Sequence, residues 1–195
     1  MVSQKNELSA YIQNFFGVTP DDVHKIISCF ERVELKKGEY FLRKGQLSDR
    51  LGFMQSGIIR EFVVSEDREV TKWISTKGYF VVDLSSFVFG NPARWNIQAL
   101  VDSELYVISQ ANHRSIVKVI PNWPELEKQF IAKCFSVLED RVVTLISKTA
   151  EERYHLLFNF NKELFNLVPL QYLASMLGMT PETLSRLRKK GAVTS

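Results

Sequence analysis

Four cationic side chains near the end of the chain could do chemistry together. Arg186, Arg188, Lys189 and Lys190 fall within one or two helical turns of the stretch QYLASMLGMTPETLSRLRKK, residues 171–190. Cations clustered on one side of a helix can pair with the phosphates of nucleic acid. Such a run can equally be an ordinary solvated face. The predicted structure around the cations is therefore needed to distinguish a nucleic-acid-binding face from an ordinary solvated face.

The net charge of the chain is concentrated around this cluster. The 195 residues include 25 Lys and Arg and 22 Asp and Glu, which gives a formal net charge of +3. Residues 1–147 contain 18 basic and 18 acidic side chains, whereas residues 148–195 contain seven basic and four acidic ones. The whole excess lies in the last quarter of the chain, and we therefore predict a domain boundary near residue 148.

The residues around the cations have the pattern of two short helices joined by a tight turn. Gly178 can end the first helix in the left-handed conformation, Thr180 can cap the second, and Pro181 can begin it. The inner faces are apolar and consist of Leu170, Leu173, Ala174 and Leu177 on the first helix and Leu184 and Leu187 on the second. The outer face of the second helix carries Glu182, Ser185, Arg186, Lys189 and Lys190. This pattern predicts a helix-turn-helix that binds double-stranded DNA, with an ordinary helical hairpin as the alternative.

Residues 33–109 have the alternating pattern of short β-strands. Apolar and polar residues alternate from Val33 onward, and a second alternating stretch, WNIQALVDSELYVIS, occupies residues 95–109. The runs are separated by Gly38, Gly45, Gly57 and Gly78. Short strands at intervals of about 8–12 residues with glycine turns are typical of an antiparallel sandwich or barrel. We predict a β-roll of the jelly-roll type, preceded by two helical pieces between Leu8 and Phe30 that GVTPDD separates.

A long amphipathic helix is predicted after the roll, beginning near Pro124. Its apolar stripe is wide enough to bury against two surfaces and comprises Leu126, Phe130, Ile131, Cys134, Phe135, Leu138, Val142, Leu145 and Ile146. Ile131, Leu138 and Leu145 recur every seven residues, the spacing of a coiled-coil seam. We expect one side of the stripe to pack on the roll and the other on a second copy of the chain. Packing within a single chain is the alternative.

The predicted elements define the fold class and a division of the chain. A further helix follows in TAEERYHLLFNFNKELF, where Thr149 and Glu152 have the capping-box pattern. We predict an α+β protein with an N-terminal antiparallel β-roll (a double-stranded β-helix), flanking helices, a long dimerisation helix and a C-terminal helix-turn-helix. The predicted domains are an effector domain at 1–121, the connecting helix at 122–148 and the DNA-binding domain at 149–195.

Composition argues against a membrane or secreted protein. Hydrophobic residues make up 45% of the chain and charged residues 24%, as in ordered soluble proteins. No apolar run approaches the roughly 18–20 residues that a membrane helix needs. The N-terminal stretch MVSQKNELSAYIQNFFG lacks the basic and apolar blocks of a secretory signal. We expect a cytoplasmic protein without membrane partners.

Motifs for metal binding and for catalysis are missing from the sequence. Cys29 and Cys134 are far apart and are interpreted as two buried thiols in a reducing compartment. There is no Cys-x-x-Cys, and the three histidines are scattered, so no metal site or cofactor is predicted. There is no GxSxG, HExxH or phosphate-cradling glycine loop, and Ser85-Ser86 beside Asp83 is interpreted as turn chemistry. We expect no enzymatic activity.

The order of the elements resembles the Crp–Fnr family of bacterial transcription regulators over nearly the whole chain. The most specific part is GMTPETLSRLRKK, residues 178–190, which looks like the recognition helix of that family, with Glu-Thr followed three residues later by Arg. The resemblance implies a homodimer that binds a palindromic DNA operator and controls transcription. It leaves RNA polymerase open as a further partner.

The resemblance also assigns roles to single residues. Glu182 and Arg186 match the base-reading pair of the family, in which a carboxylate accepts from a cytosine amino group and a guanidinium donates twice to guanine. Pro181 stands where some members carry a further base-reading arginine, so the operator need not match theirs. Thr180 and Ser185 would contact phosphates. The full predicted DNA-binding set is Thr180, Glu182, Thr183, Ser185, Arg186, Arg188, Lys189 and Lys190.

Two features depart from the family pattern. The chain stops at GAVTS, which leaves little or no β-hairpin wing. In the roll, binding members carry Gly-Glu-Leu and later Arg followed by Ser or Thr in their phosphate cassette, whereas this chain has VDL at 82–84 and ARWN at 93–96. Val82 stands in place of the glycine that lets backbone amides approach the phosphate, and Asp83 is shorter than the glutamate of the binding members. Arg94 is the single residue that matches their cassette.

These departures predict that cyclic AMP does not bind at physiological concentrations. The predicted effector pocket comprises Asp83, Leu84, Ser85, Arg94, Trp95 and Asn96, and a different anion is left open as its ligand. An iron–sulfur sensor would need about four cysteine ligands, and the chain has two cysteines. The alternative to a DNA-binding regulator is a cyclic-nucleotide or other small-anion sensing module that acts through protein partners.

Overall fold

Two helices lead into the sheets of the first part of the chain. The computed structural model describes residues 6–66 and 68–193. Helix α1 spans Asn6–Phe16 and helix α2 spans Pro20–Ser28. Thr19 caps α2, since its hydroxyl accepts a hydrogen bond from the Asp22 backbone N–H at 3.2 Å, and Pro20 takes the first helical position. The two predicted helical pieces and their cap are confirmed.

The strands of the predicted β-roll form two antiparallel sheets within the described residues. Their bounds are β1 Glu31–Leu35, β2 Tyr40–Leu42, β3 Arg50–Ser56, β4 Ile59–Ser65, β5 Arg68–Ser75, β6 Phe80–Val81, β7 Asn96–Ala99 and β8 Ser103–Ser109. The strand orders are β1-β8-β3-β6 and β2-β7-β4-β5. Strand β8 pairs antiparallel with both β1 and β3, and the register places Gly52 opposite Val107. The glycine-separated alternation therefore corresponds to a β-roll, as predicted.

The remaining helices lie between strands β6 and β7 and in the chain that follows strand β8. Their bounds are α3 Leu84–Phe89, α4 Gln110–Ser115, α5 Trp123–Ser147, α6 Ala150–Phe160, α7 Leu164–Leu167, α8 Leu170–Met176 and α9 Pro181–Val193, with a 3-10 turn at Ile116–Lys118. Helices α5, α6, α8 and α9 match the predicted helices, although the segment predicted as one helix at 149–165 divides into α6 and α7. The capping box of Thr149 and Glu152 is formed. Helices α3 and α4 were not predicted.

The chain divides into two compact units. The first extends to Glu61 and includes Ile74–Lys133, and the second combines Phe62–Trp73 with the chain from Cys134 onward. The first unit holds two apolar clusters: one inside the roll around Met54, Ile97 and Leu105, and one where α1 and α2 pack on the roll. The division at 1–121, 122–148 and 149–195 concerns functional domains and stays a prediction.

The helices of the described residues are not suited to crossing a membrane. In residues 6–66 and 68–193 no helix is both long enough and apolar enough to cross a membrane. The expectation about a secretory signal involves residues 1–5, which lie outside the described residues.

The tightest backbone approach in the roll gives a stability prediction. Gly57 has φ +92°, and a Cβ placed on it would lie 2.6 Å from the Ser103 Cα. Gly38 has a similar φ of +87° but open space around it. We expect Gly38→Ala to lower the free energy of unfolding by about 1–2 kcal/mol through backbone strain alone. We expect Gly57→Ala to cost about 1–3 kcal/mol more, because the strands must separate.

Equilibrium urea unfolding of both variants measures these free energies, and Gly38→Ala is the matched control for strain. Equal losses in the two variants would contradict the close approach of β3 and β8 at Gly57.

Candidate nucleic-acid interface and effector pocket

The turn between α8 and α9 has the geometry predicted from its glycine. Gly178 has φ +64°, and its N–H donates to the Ser175 carbonyl at 3.1 Å. The next N–H, that of Met179, donates to the Ala174 carbonyl at 3.0 Å, which closes the end of α8. Thr180 caps α9, since its hydroxyl accepts from the Thr183 N–H at 3.2 Å. The predicted helix-turn-helix is therefore present in the structure.

Two arginines hold this turn by donating to its carbonyls. Arg141 Nη2 donates to the Met176 carbonyl at 2.9 Å, while the guanidinium lies 4.9 Å from the centre of the Trp73 ring. Arg153 donates to the Leu145 carbonyl at 2.9 Å and to the Gly178 carbonyl at 3.3 Å. Charged donors at carbonyls that end a helix are favourable because the helix dipole is negative there.

The end of the β4–β5 hairpin contacts the same region. The Thr71 N–H donates to Ser175 Oγ at 2.9 Å, which ties the hairpin to helix α8. Residues 62–73 belong to the same compact unit as the helix-turn-helix. A residue within strand β5 therefore supports helix α8, in addition to the two arginines at the turn. The alternating sequence of this hairpin did not predict the hydrogen bond between Thr71 and Ser175.

The outer face of α9 lines a groove of about 500 Å³. Its walls are Leu170, Pro181, Glu182, Ser185, Arg186 and Lys189. Leu184, on the opposite face of α9, is fully buried, as predicted from the apolar pattern of that face. Glu182, Arg186 and Lys189 are exposed, and Ser185 is half-buried. A carboxylate, a hydroxyl and two cations therefore share one accessible surface of a well-supported helix.

The carboxylate of Glu182 is held in its ionised form. Hydrogen bonds from its own backbone N–H and from the Thr180 hydroxyl lower the pKa of Glu182 below its usual value. The carboxylate lies at the start of α9, where the helix dipole also favours a negative charge. Glu182 can therefore act as a hydrogen-bond acceptor at neutral pH.

Lys190 and Arg188 are placed differently from the other cations. Lys190 Nζ forms an ion pair with Glu151 Oε1 of helix α6 at 2.8 Å, and this contact lowers the pKa of Glu151. Arg188 is half-buried rather than exposed. Lys190 is exposed but engaged by Glu151, whereas Arg186 and Lys189 are exposed on the α9 groove. Helix α9 continues to Val193, and residues 194–195, on which the expectation of a missing wing partly falls, lie outside the described residues.

The predicted effector pocket is organised around Asp83, whose side chain is completely buried. One carboxylate oxygen caps helix α3 by accepting from the Ser86 N–H at 3.2 Å. The other accepts from the Arg94 N–H at 2.8 Å. The Arg94 side chain is 60% exposed, with Nη2 at 3.8 Å from Asp83 Oδ1. Asp83 therefore stabilises the loop itself with both oxygens.

The other polar groups of this pocket are bonded in the same way. Ser86 Oγ accepts from the Ser48 N–H at 2.7 Å, and Ser85 Oγ accepts from the Asn91 side chain at 3.1 Å. Asn96 Oδ1 accepts from the Lys44 N–H at 3.0 Å. The Arg94 guanidinium lies 5.6 Å from the centre of the Trp95 ring. Leu84 lines an apolar cavity with residues of α1 and α2. Asp83 and Arg94 therefore bind each other, while Ser85 and Asn96 bind neighbouring residues outside the predicted set.

The apolar stripe of α5 is partly buried and partly exposed. Leu126 is only 6% exposed and belongs to the core of the first unit, and the Phe130 ring lies 4.8 Å from that of Phe80. The stripe that remains accessible therefore begins at Ile131 rather than at Leu126. Cys134 and Leu145 are half-buried. The exposed apolar side chains are Ile131, Phe135, Val137, Leu138, Val142, Val143 and Ile146.

The roll and the whole chain are similar to known proteins at different levels. Residues 32–119 match the sequence profile of the cyclic nucleotide-binding domain family. The α+β fold with C-terminal helices resembles solved structures of Crp–Fnr regulators, so the predicted resemblance and fold class are confirmed. No curated protein sequence is significantly similar to the chain.

Three solved structures illustrate the shared fold. FixK2 from Bradyrhizobium japonicum is 16% identical with a TM-score of 0.70, and the similarity covers 85% of each chain. The catabolite activator protein of Thermus thermophilus is 20% identical with a TM-score of 0.57, over 92% of this chain and 86% of that one. The c-di-GMP responsive global regulator CLP of Xanthomonas campestris is 17% identical with a TM-score of 0.65, over 90% of this chain and 93% of that one.

Proposed function

We propose that this protein is a dimeric, sequence-specific DNA-binding transcription regulator of the Crp–Fnr type and not an enzyme. The observation that carries the proposal is the groove on α9, where Glu182, Ser185, Arg186 and Lys189 share an accessible face. A helix with this combination of groups suits the major groove, whose base edges offer both donors and acceptors. Such a regulator acts on DNA in the bacterial cytoplasm.

The chemistry of the groove divides into base reading and phosphate binding. Arg186 would donate twice to a guanine, and the ionised Glu182 would accept from a cytosine amino group. Ser185 and Lys189 would contact phosphates and set the register of the helix. Thr180 and Thr183 lie at the start of α9, where backbone N–H groups also favour phosphate.

Dimerisation is proposed through the exposed stripe of α5. Leu138 is 45% exposed and Val142 56% exposed, and an apolar row of this kind is stabilised when it is removed from water. Two copies paired along α5 would present two α9 helices. Their separation must match one turn of DNA, roughly 34–36 Å, for both halves of a palindromic site to be read. RNA polymerase remains a candidate partner of the DNA-bound dimer.

We further propose that the regulator does not respond to cyclic AMP. A cyclic phosphate needs free backbone amides and a paired cation, but the Arg94 N–H and the Ser86 N–H already donate to Asp83. Each of these bonds would have to break, at about 1–3 kcal/mol for every polar group left without a partner. We expect a dissociation constant for cyclic AMP above about 1 mM.

Isothermal titration of the protein with cyclic AMP and with cyclic GMP measures this affinity directly. A low micromolar dissociation constant, with DNA affinity rising when the nucleotide is added, would contradict the prediction.

The alternative function, a small-anion sensor that acts through protein partners, requires no DNA contact. A gel-shift assay with random-sequence duplexes separates the two. We expect the wild-type protein to retain duplex DNA at moderate salt and to lose it steeply as the salt concentration rises, because bound phosphates release counterions. Failure to retain duplex DNA at any salt concentration would favour the sensor.

A further inference from the structure

An apolar cavity lies in the first unit, and its walls include Leu84 of the altered cassette stretch together with Phe87 and Val88 of α3. Its volume is about 50 Å³, and its walls come from α1, α2, the roll and the first turns of α5. The apolar walls include Ile12, Phe16, Ile26, Phe80, Ile116 and Phe130. An apolar cavity that borders a groove at the surface is the common form of a small-molecule site.

A surface groove of about 290 Å³ adjoins this cavity. The two share Phe87, Val88, His113, Trp123 and Glu127 as walls, so these five residues stand between the interior and the solvent. The groove is further lined by Gln110, Arg114, Val117 and Pro124. Apolar residues are exposed at this opening, with Val88 45% and Val117 41% exposed. The mouth of the groove is therefore partly apolar.

The indole of Trp123 supplies a hydrogen-bond donor at the shared wall. Trp123 is only 8% exposed, and its Nε1–H has no hydrogen-bond partner in the described part of the chain. Buried donors are nearly always paired, because leaving one unpaired costs free energy. The Nε1 atom has almost no accessible surface, so an acceptor on a ligand would reach this N–H after the indole turns toward the cavity.

His113 and Glu127 supply acceptors beside the indole. His113 Nε2 lies 3.4 Å from Glu127 Oε1, and the His113 ring stands edge-to-face between the Phe87 and Trp123 rings, at 5.3 Å and 5.9 Å. Burial lowers the pKa of His113, against the opposing effect of Glu127, and Arg114 lowers it further. A neutral imidazole and a carboxylate can both accept from a hydroxyl group, whereas the carboxylate repels an anion.

We propose that this cavity and groove form a binding site for a small, uncharged aromatic molecule that carries a hydroxyl group. The ring would pack against Phe87, Val88 and Trp123. The hydroxyl oxygen would accept from the Trp123 indole, and the hydroxyl proton would be donated to His113 or Glu127. The site includes the first turns of α5, so a bound molecule would act on the start of the helix that carries the exposed apolar stripe.

Nuclear magnetic resonance of the full-length protein, without DNA, tests this site independently of the proposed function. The three tryptophans give three indole N–H signals. The signal that disappears in Trp123→Phe is that of Trp123. The probes are phenol, toluene and benzoate at up to millimolar concentration. We expect phenol to shift the Trp123 signal, toluene to bind roughly tenfold more weakly, and benzoate not to bind.

Two variants make the test specific. Trp123→Phe removes the donor and keeps a ring, so phenol should bind about three- to tenfold more weakly while toluene binds as before. Val88→Trp should block both probes at an already exposed position. Val119→Trp is its matched control, because Val119 is 46% exposed and lines neither the cavity nor the groove.

The outcomes that overturn the proposal are distinct. No phenol shift at Trp123, phenol binding unchanged by Val88→Trp, or equal affinities for phenol and toluene would each exclude a site for hydroxylated aromatic molecules. Preferential binding of benzoate would assign the groove to an anion at Arg114 and would also overturn it.

Discussion

Replacing Leu138 with glutamate is expected to convert the protein from a dimer to a monomer and to weaken DNA binding at least about 100-fold. Leu138 lies in the exposed apolar stripe of α5, and a carboxylate there would have to be buried without a partner on pairing. Two linked half-sites gain about 10²–10⁴ in apparent affinity over one, and a monomer loses this gain. Light scattering measures the mass, and fluorescence anisotropy with an operator duplex measures the affinity.

Gln129→Glu is the matched control for this substitution. Gln129 is exposed on α5 and outside the apolar stripe, and the variant adds the same charge to the same helix. It should remain a dimer with DNA affinity near that of the wild type. A wild-type protein that is monomeric at micromolar concentration would contradict pairing through α5.

Arg186→Ala is expected to change sequence preference, whereas Lys189→Ala changes affinity alone. Both side chains are exposed on the α9 groove. Loss of a bidentate contact to guanine costs about 1–3 kcal/mol at one base pair of each half-site and relaxes the preference there. Loss of a phosphate contact at Lys189 should weaken binding to all sequences about equally. It should also reduce the slope of log affinity against log salt concentration by about one.

Affinities of the two variants for an operator and for its single-base variants separate these effects. Lys190→Ala is the control, because Lys190 is paired with Glu151 and should contribute little to DNA binding. A uniform loss of affinity in both Arg186→Ala and Lys189→Ala would exclude base reading by Arg186.

The elements predicted correctly from the sequence are those set by short-range rules. Thr19 and Thr149 cap helices because a hydroxyl reaches an N–H three residues along the chain. Gly178 ends α8 because only glycine adopts a positive φ without strain. The same rules place Thr180 and Pro181 at the start of α9. The helix-turn-helix could therefore be located to within a residue or two.

The parts that the sequence did not predict depend on contacts between distant segments. Asp83 was predicted as part of the effector pocket, and the sequence did not reveal that it caps α3 and accepts from the Arg94 N–H eleven residues away. Lys190 was predicted to bind DNA from its helical position, and the sequence did not reveal its ion pair with Glu151 on α6. The cavity beside Trp123 is lined by residues of nine separate helices, turns and strands, and no local pattern predicts it. Neighbours brought together only by folding decide the role of each of these side chains.

The most direct test of the proposed function is to sequence the duplexes that the wild-type protein retains from a random library. A dimer reading DNA with two α9 helices should enrich a palindrome whose half-sites are centred about 10–10.5 base pairs apart, with a guanine in each that Arg186→Ala no longer selects. Retained DNA without any enriched sequence, or with a single unpaired half-site, would contradict a dimeric sequence-specific regulator.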